Sequence, residues 1–311
     1  MYRFWQEFKR FFRKGDTVLL LLCMVITSFG IVMISSATNH MGNTRYIVIQ
    51  LAAAGLGVLM YALISSIDAD LFTEHRTALV IINCFMLLLL IPFGVDYGSG
   101  NKSWLDIPMV PVAIQPAEIC KITYILIMAS LMKEHQGNLS GIKSIIHIVF
   151  HLGLLVGLNI ALSRDAGVSL IFVFIFIGMA FVGGVSLLWY LLAGGTIVAA
   201  WPFIWKIMGQ HQRNRLLILV DPTVDPDGLY ERFHSKRSLL SLTGGGTSGQ
   251  GLFEGIRTQS GALPAQHTDY IFSAIGEELG LSAAPWCCWL SFWSLPGAST
   301  SATAPTTICA A

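Results

Sequence analysis

AGVSLIFVFIFIGMAFV, residues 166–182, holds no charged side chain, and its one hydroxyl is Ser169. Wound as a helix at about 1.5 Å per residue, such a stretch reaches most of the way across a hydrocarbon core about 30 Å thick. A helix in a water-soluble core keeps one polar face; this segment has none, so it reads as a membrane span. Outward from it lie six more apolar blocks: Thr17 to Ala37, Tyr46 to Ser66, Thr77 to Val95, Val112 to Met132, Ile145 to Leu162 and Val185 to Trp205. Each approaches the roughly 17–25 residues a span requires, and an eighth begins near Asp269. The chain is 54% hydrophobic and 12% charged, against about 25% charged in an average soluble domain, which excludes a water-soluble fold. The first block has no small-residue cleavage site and further spans follow it, so it reads as a retained helix and not as a signal peptide.

Basic residues near span ends resist translocation, and their distribution sets orientation. Arg3, Lys9, Arg10, Arg13 and Lys14 precede the first span; with that end in the cytoplasm, Arg76, Lys133 and Lys143 also fall inside, while Arg45, Lys102 and Arg164 fall outside. The long connection 206–268 then lies on the outer face. The expected layout is a cytoplasmic N-terminus (1–16), seven transmembrane helices (17–205), a large extracellular loop (206–268) and the start of an eighth helix (269–281). The fold class is therefore all-α, a polytopic transmembrane helix bundle.

A net charge of +1, with no basic stripe beyond the topology signal, gives no reason to expect nucleic acid as a partner. Cys23, Cys84 and Cys120 fall in spans, and Cys287, Cys288 and Cys309 fall in the tail; neither a disulfide framework nor metal-ligand spacing emerges. The outer loop carries turn signals at Asp221-Pro222, Asp225-Pro226 and Asp227-Gly228. Within it the run Tyr230 to Leu242 is expected to form an amphipathic helix on the membrane surface. A connection of this length is functional or disordered. From Ser282 to Ala311 the sequence has no charged residue, and Pro285, Pro296 and Pro305 interrupt it. The expectation for 282–311 is an aberrant, frameshifted tail replacing the end of the bundle.

Glu118 and Lys121 stand inside the fourth block, three residues apart on one helical face. Ionisable groups at that depth must pair or face a polar cavity. They read either as a structural ion pair or as one wall of a substrate path.

Several motifs carry a resemblance. Gln115-Pro116-Ala117-Glu118 with Lys121 comes first, preceded by Trp104, and the outer loop supplies Gln212-Arg213-Asn214-Arg215, Gly244 to Gly246, Gly249-Gln250-Gly251, Thr258-Gln259, Leu263-Pro264, His267-Thr268-Asp269 and Gly276-Glu277-Glu278-Leu279-Gly280. A Gly-rich stretch alone reads as a flexible loop. In this order, over roughly Asp16 to Leu281, the motifs resemble the shape, elongation, division and sporulation (SEDS) family that includes RodA, FtsW and SpoVE. Departures are Ser163-Arg164-Asp165-Ala166-Gly167, of which only Asp165 and Gly167 keep the family pattern, and His234-Ser235 where relatives often have Gln-Ser.

The resemblance implies a ten-helix fold, about eight helices of it encoded here, in the bacterial cytoplasmic membrane. It also implies an inverting glycosyltransferase that polymerises lipid II into glycan strands on the outer face, working with a class B penicillin-binding protein transpeptidase. A polyprenyl pyrophosphate leaving group calls for cations or a divalent metal. No cofactor is certain, and no metal ligands are assigned. Arg213, Arg215 and Lys236, with Arg237 and Arg257, are candidates for the phosphates, though a basic surface helix equally suits lipid headgroups. Glu118, Lys121, Gln259 and His267 are expected at the substrate. Asp269 reads on sequence alone as the N-cap of the eighth helix; the resemblance makes it the catalytic base. Two other readings stay open: a flippase for the same precursor, with Glu118 and Lys121 lining its route, and a scaffold without chemistry.

Overall fold

A computed structural model describes residues 17–65, 75–96, 101–106, 113–221, 233–263 and 265–282. The N-terminal segment 1–16, the turn signals from Pro222 to Gly228 and the tail from residue 283 lie outside the described residues. In chain order the elements are α1 (Thr17–Thr38), a 3-10 turn (Asn39–Met41), α2 (Arg45–Ser65), α3 (Arg76–Leu88), α4 (Leu90–Phe93), β1 (Gly94–Val95), β2 (Trp104–Leu105), α5 (Pro116–Glu134), α6 (Ile142–Ser163), α7 (Ala166–Val182), α8 (Leu187–Ile207), α9 (Gln210–Val220), α10 (Phe233–Gly245), α11 (Ile256–Gln259) and α12 (Ile271–Leu279).

Every expected apolar block is helical, with two adjustments that have local causes. The third block breaks at Leu89 into α3 and α4, because Pro92 offers no N–H and its ring crowds the carbonyl of Leu88. The fourth helix begins four residues later than expected, with Pro116 in its first turn, where a missing N–H is harmless. Asp165 is the N-cap of α7, its carboxylate accepting from Val168 N at 3.0 Å. Five helices among the described residues are long and apolar enough to cross a membrane. Of the other two blocks, α7 is shorter, at 17 residues, and α5 carries Glu118, Lys121, Lys133 and Glu134. Large apolar side chains stand open along these helices, Val182 at 88% and Ile207 at 85% exposure. Such surfaces need lipid to cover them.

The chain divides into two compact units, Ile67–Ile204 and Met1–Ser66 with Trp205–Ala311. In the first, α3, α5, α6 and α7 enclose a core built on Leu87, Tyr124, Ile127, Met128, Ile148 and Phe172. Tyr124 and Phe172 meet edge to face at 5.7 Å. Asn83 and Asn159 are buried in the same unit; Asn159 donates to Asp165 O at 3.0 Å and Ser169 Oγ at 2.8 Å, which ties α6 to the start of α7.

In the second unit α10 packs on α12 through Gly245 and Gly276. A Cβ on Gly245 would lie 2.1 Å from the Gly276 carbonyl oxygen. The glycine-rich stretch is therefore packed chain and not the flexible loop that its composition suggests. Gln250 N donates to Glu277 O and Gly251 N to Glu278 O, both at 2.9 Å, and Gly249, at φ +80, would set a Cβ 2.2 Å from Glu278 O. The amphipathic helix expected from Tyr230 begins, among the described residues, at Phe233. Part of it packs against protein: Ser241 and Gly245 are buried, and Ser238 Oγ meets Ser273 Oγ of α12 at 2.5 Å.

Candidate functional site

The segment from Gly255 to Tyr270 is strapped to the end of α1 by side-chain amides. Gln259 Nε2 donates to Ser36 O at 3.2 Å and to Glu278 Oε1 at 3.0 Å, while Asn39 Nδ2 donates to Gln259 Oε1 at 3.0 Å. Gln266, 2% exposed, donates to Ala37 O at 2.7 Å and Thr258 O at 2.8 Å. Beneath these stand two fully buried carboxylates. Glu277 accepts from Arg257 N at 2.8 Å, Thr258 N at 3.0 Å and Thr258 Oγ1 at 2.8 Å, so it supplies the acceptors that the first turn of α11 lacks. Glu278 accepts from Ser36 Oγ at 2.7 and 2.6 Å and from Gln259. Adjacent helical residues point to different faces, so Glu277 grips the start of α11 while Glu278 reaches both α1 and Gln259 at the end of α11.

That bracing sets the turn in which His267 and Asp269 stand. His267 is half-buried, with its ring centroid 4.4 Å from that of Tyr46. Its Nδ1 is buried with no hydrogen-bond partner among the described residues. Burial holds its imidazole below the ordinary value of 6.5, His40 acts in the same direction, and Asp269 pulls the other way. Asp269 itself is exposed. It is not a helix cap: α12 starts at Ile271, its N-cap is Tyr270, and no side chain caps it. The capping expectation fails because the helix begins one residue too late for Asp269 to reach the free N–H groups.

The other expected site residues divide. Arg213 is drawn back onto its own chain, Nη2 donating to Lys206 O at 2.9 Å with the guanidinium 5.9 Å from the Trp205 ring. It sits in a helix, α9, within the connection 206–268 that was expected to be loop. The Arg215 side chain lies outside the described residues. Lys236 is on the exposed side of α10, and its neighbour Arg237 stacks 4.4 Å over Phe233 and donates to Ala262 O. Gln259, expected at the substrate, spends its amide on α1 and Glu278. Glu118 and Lys121, in the other unit, form the ion pair that their spacing predicts, Lys121 Nζ to Glu118 Oε1 at 2.8 Å.

Ser36, His40, Tyr46, Gln266, Glu277 and Glu278 were not singled out as site residues from sequence. For the last two a signal existed: adjacent acids in an expected membrane span must be satisfied internally. Among the described residues no group of three His, Cys, Asp or Glu gathers at Asp269. The one such group is elsewhere, at Glu134, His135 and His147.

The fold and this loop define a multi-pass helical membrane protein with a braced loop segment that presents an acid beside a histidine. The chain belongs to the FtsW/RodA/SpoVE family of cell cycle proteins, whose family model matches residues 16–293. The probable peptidoglycan glycosyltransferase FtsW of Thiomicrospira cyclica is 28% identical over 278 residues, 86% of this chain and 69% of that protein. The peptidoglycan glycosyltransferase MrdB of Escherichia coli K12 is 29% identical over 270 residues, 85% of this chain and 69% of its own. The FtsW of Trichlorobacter lovleyi reaches 30% over 276 residues, 85% and 70%. Among solved structures, a peptidoglycan synthase complex described as coordinating polymerization and crosslinking superposes with TM-score 0.72 at 23% identity, covering 89% of this chain and 75% of that one. A mutant of the rod shape determining protein RodA of Thermus thermophilus gives TM-score 0.59 at 20% identity, covering 89% and 72%.

Proposed function

We propose that this chain is a peptidoglycan glycosyltransferase that joins lipid-linked disaccharide units into glycan strands at the outer face of the bacterial cytoplasmic membrane, with its N-terminus in the cytoplasm. The observation that carries the reading is Asp269: an exposed carboxylate with no hydrogen bond among the described residues, held beside His267 on a segment braced by buried Glu277 and Glu278. Buried side chains that fix a mobile-looking loop are what preorganisation of a reacting group requires.

In this mechanism Asp269 takes the proton from the acceptor sugar's 4-hydroxyl. The freed oxygen forms a bond to the donor's anomeric carbon from the face opposite the pyrophosphate, whose C–O bond breaks as the configuration inverts. The polyprenyl pyrophosphate leaves with the electron pair. Lys236, on the open side of α10, is the candidate for meeting the phosphates. Gln259 becomes a positioning residue, since its amide is turned toward α1. A divalent cation would find one carboxylate here and would draw its other oxygens from the substrate's phosphates, as Mg²⁺ commonly does; no step is assigned to it. The peptidoglycan synthase complex among the structural relatives supports a membrane-anchored transpeptidase, of class B penicillin-binding type, as partner.

The test uses purified protein in detergent with fluorescent lipid II, with products resolved on a gel. Detergent separates polymerisation from flipping, since flipping needs a sealed bilayer. Wild type is expected to give a ladder of polymer and Asp269→Asn none, with unchanged elution and melting. Polymer from the variant at near wild-type rate removes the base assignment, and no polymer from wild type returns the reading to flippase or scaffold.

A further inference from the structure

The turn between α5 and α6 gathers side chains for which the proposed polymerase chemistry has no use. Glu134 ends α5 and His135 is its C-cap, while His147 comes back from α6 so that His135 Nε2 and His147 Nδ1 stand 3.0 Å apart. One ligand atom from each of Glu134, His135 and His147 lies within 4.8 Å of the others; Glu134 is exposed and both histidines are half-buried. A fourth group follows one turn along. His151 bonds the His147 carbonyl oxygen through Nδ1 at 2.9 Å, which makes that nitrogen the protonated one and leaves Nε2 as a lone pair. Its ring is 5.2 Å from that of His147.

We propose that Glu134, His135 and His147 form a binding site for a divalent transition metal of the zinc class. Two imidazole nitrogens and one carboxylate oxygen are the donor set of three-ligand zinc sites, which leave a position for water or a further ligand. A nitrogen pair at 3.0 Å already approximates one edge of a tetrahedron of about 3.3 Å around an ion with bonds of about 2.0 Å. The ion therefore replaces the proton shared by the two rings with little movement. Only one carboxylate is present, which disfavours Mg²⁺ and Ca²⁺, ions that want oxygen cages.

Arg76 of α3 currently pairs with Glu134 and holds its carboxyl below the usual range through that hydrogen bond. Metal binding sets Arg76 in competition with the ion for this carboxylate. The site thus clips the end of α5 to α6 while loosening the link to α3. In the topology proposed above it faces the cytoplasm, where an ion enters without crossing the membrane.

The experiment titrates Zn²⁺ into full-length protein in detergent, purified without a polyhistidine tag, against a chromophoric chelator. One ion per chain is expected, with a raised melting temperature, and Co²⁺ in its place should show the intense visible bands of a four-coordinate ion. His135→Ala and His147→Ala should each lose the stoichiometric ion and the thermal shift, while Mg²⁺ gives neither in any variant. Glu134→Gln, a near-isosteric change at an exposed position, is the second variant should a histidine replacement fail to fold; it should keep the helical signal and bind more weakly. Equal zinc binding by wild type and the folded variants, or none by wild type, overturns the proposal.

Discussion

Glu277 and Glu278 decide more of the site than the residues that face outward. A buried carboxylate stands only when its lone pairs are taken up, and here the acceptors are matched to N–H and O–H groups that would themselves be orphaned. Removing the Glu277 side chain leaves Arg257 N, Thr258 N and Thr258 Oγ1 without partners, at roughly 1–3 kcal/mol for an unsatisfied buried group. Glu277→Ala should therefore lower stability by about 3 kcal/mol or more, read as an earlier thermal transition in detergent. Glu278→Gln keeps one oxygen acceptor for Ser36 and should cost less. An equal melting temperature for wild type and Glu277→Ala would show that the loop is held by something else. The acids were visible in the sequence, but their partners were not: Ser36 lies 242 residues from Glu278, and no local spacing links them.

At the level of elements, the seam between α10 and α12 rests on the absence of side chains. A Cβ at Gly245 meets backbone, 2.1 Å from Gly276 O and 2.7 Å from Glu277 Cα, whereas a Cβ at Gly276 meets Leu242 Cδ2 at 2.4 Å. Backbone cannot yield without moving the helix that carries Glu277 and Glu278; the end of a leucine can rotate away. Gly245→Ala should thus be the more damaging of the two, by about 1–3 kcal/mol of overpacking, and should reduce polymerisation along with stability. Comparing melting temperatures of Gly245→Ala and Gly276→Ala tests the ordering, and the reverse order would refute it. Composition had marked this stretch as flexible because glycine permits many conformations. Packing selects one of them, and the glycines then serve close approach and, at Gly249, positive φ.

For the whole molecule, the basic residues at span ends predict an orientation with Gln136 and Glu254 on opposite sides of the membrane. Both positions are exposed. Single cysteines at them, in a chain whose native cysteines are replaced, should differ in reaction with a membrane-impermeant maleimide on intact spheroplasts. Glu254→Cys is expected to label and Gln136→Cys only after lysis; labelling in the opposite pattern would invert the topology and move the proposed metal site to the outer face.

The membrane class, the helical blocks and the presence of a long connecting segment were all legible in the local sequence. Those properties are local: in lipid each backbone must satisfy its own hydrogen bonds, so an apolar run of sufficient length becomes a helix whatever it packs against. The Glu118–Lys121 pair was legible for the same reason, since three residues on a helix fix a distance. Tertiary packing alone set Asp269 just outside its helix, where it caps nothing, turned Gln259 inward, and made Glu277 and Glu278 brace the loop. It also decided that Glu134 and His135 meet His147 across a turn. Each of these depends on which faces of separate helices come together, and packing sets that through contacts between residues tens to hundreds of positions apart.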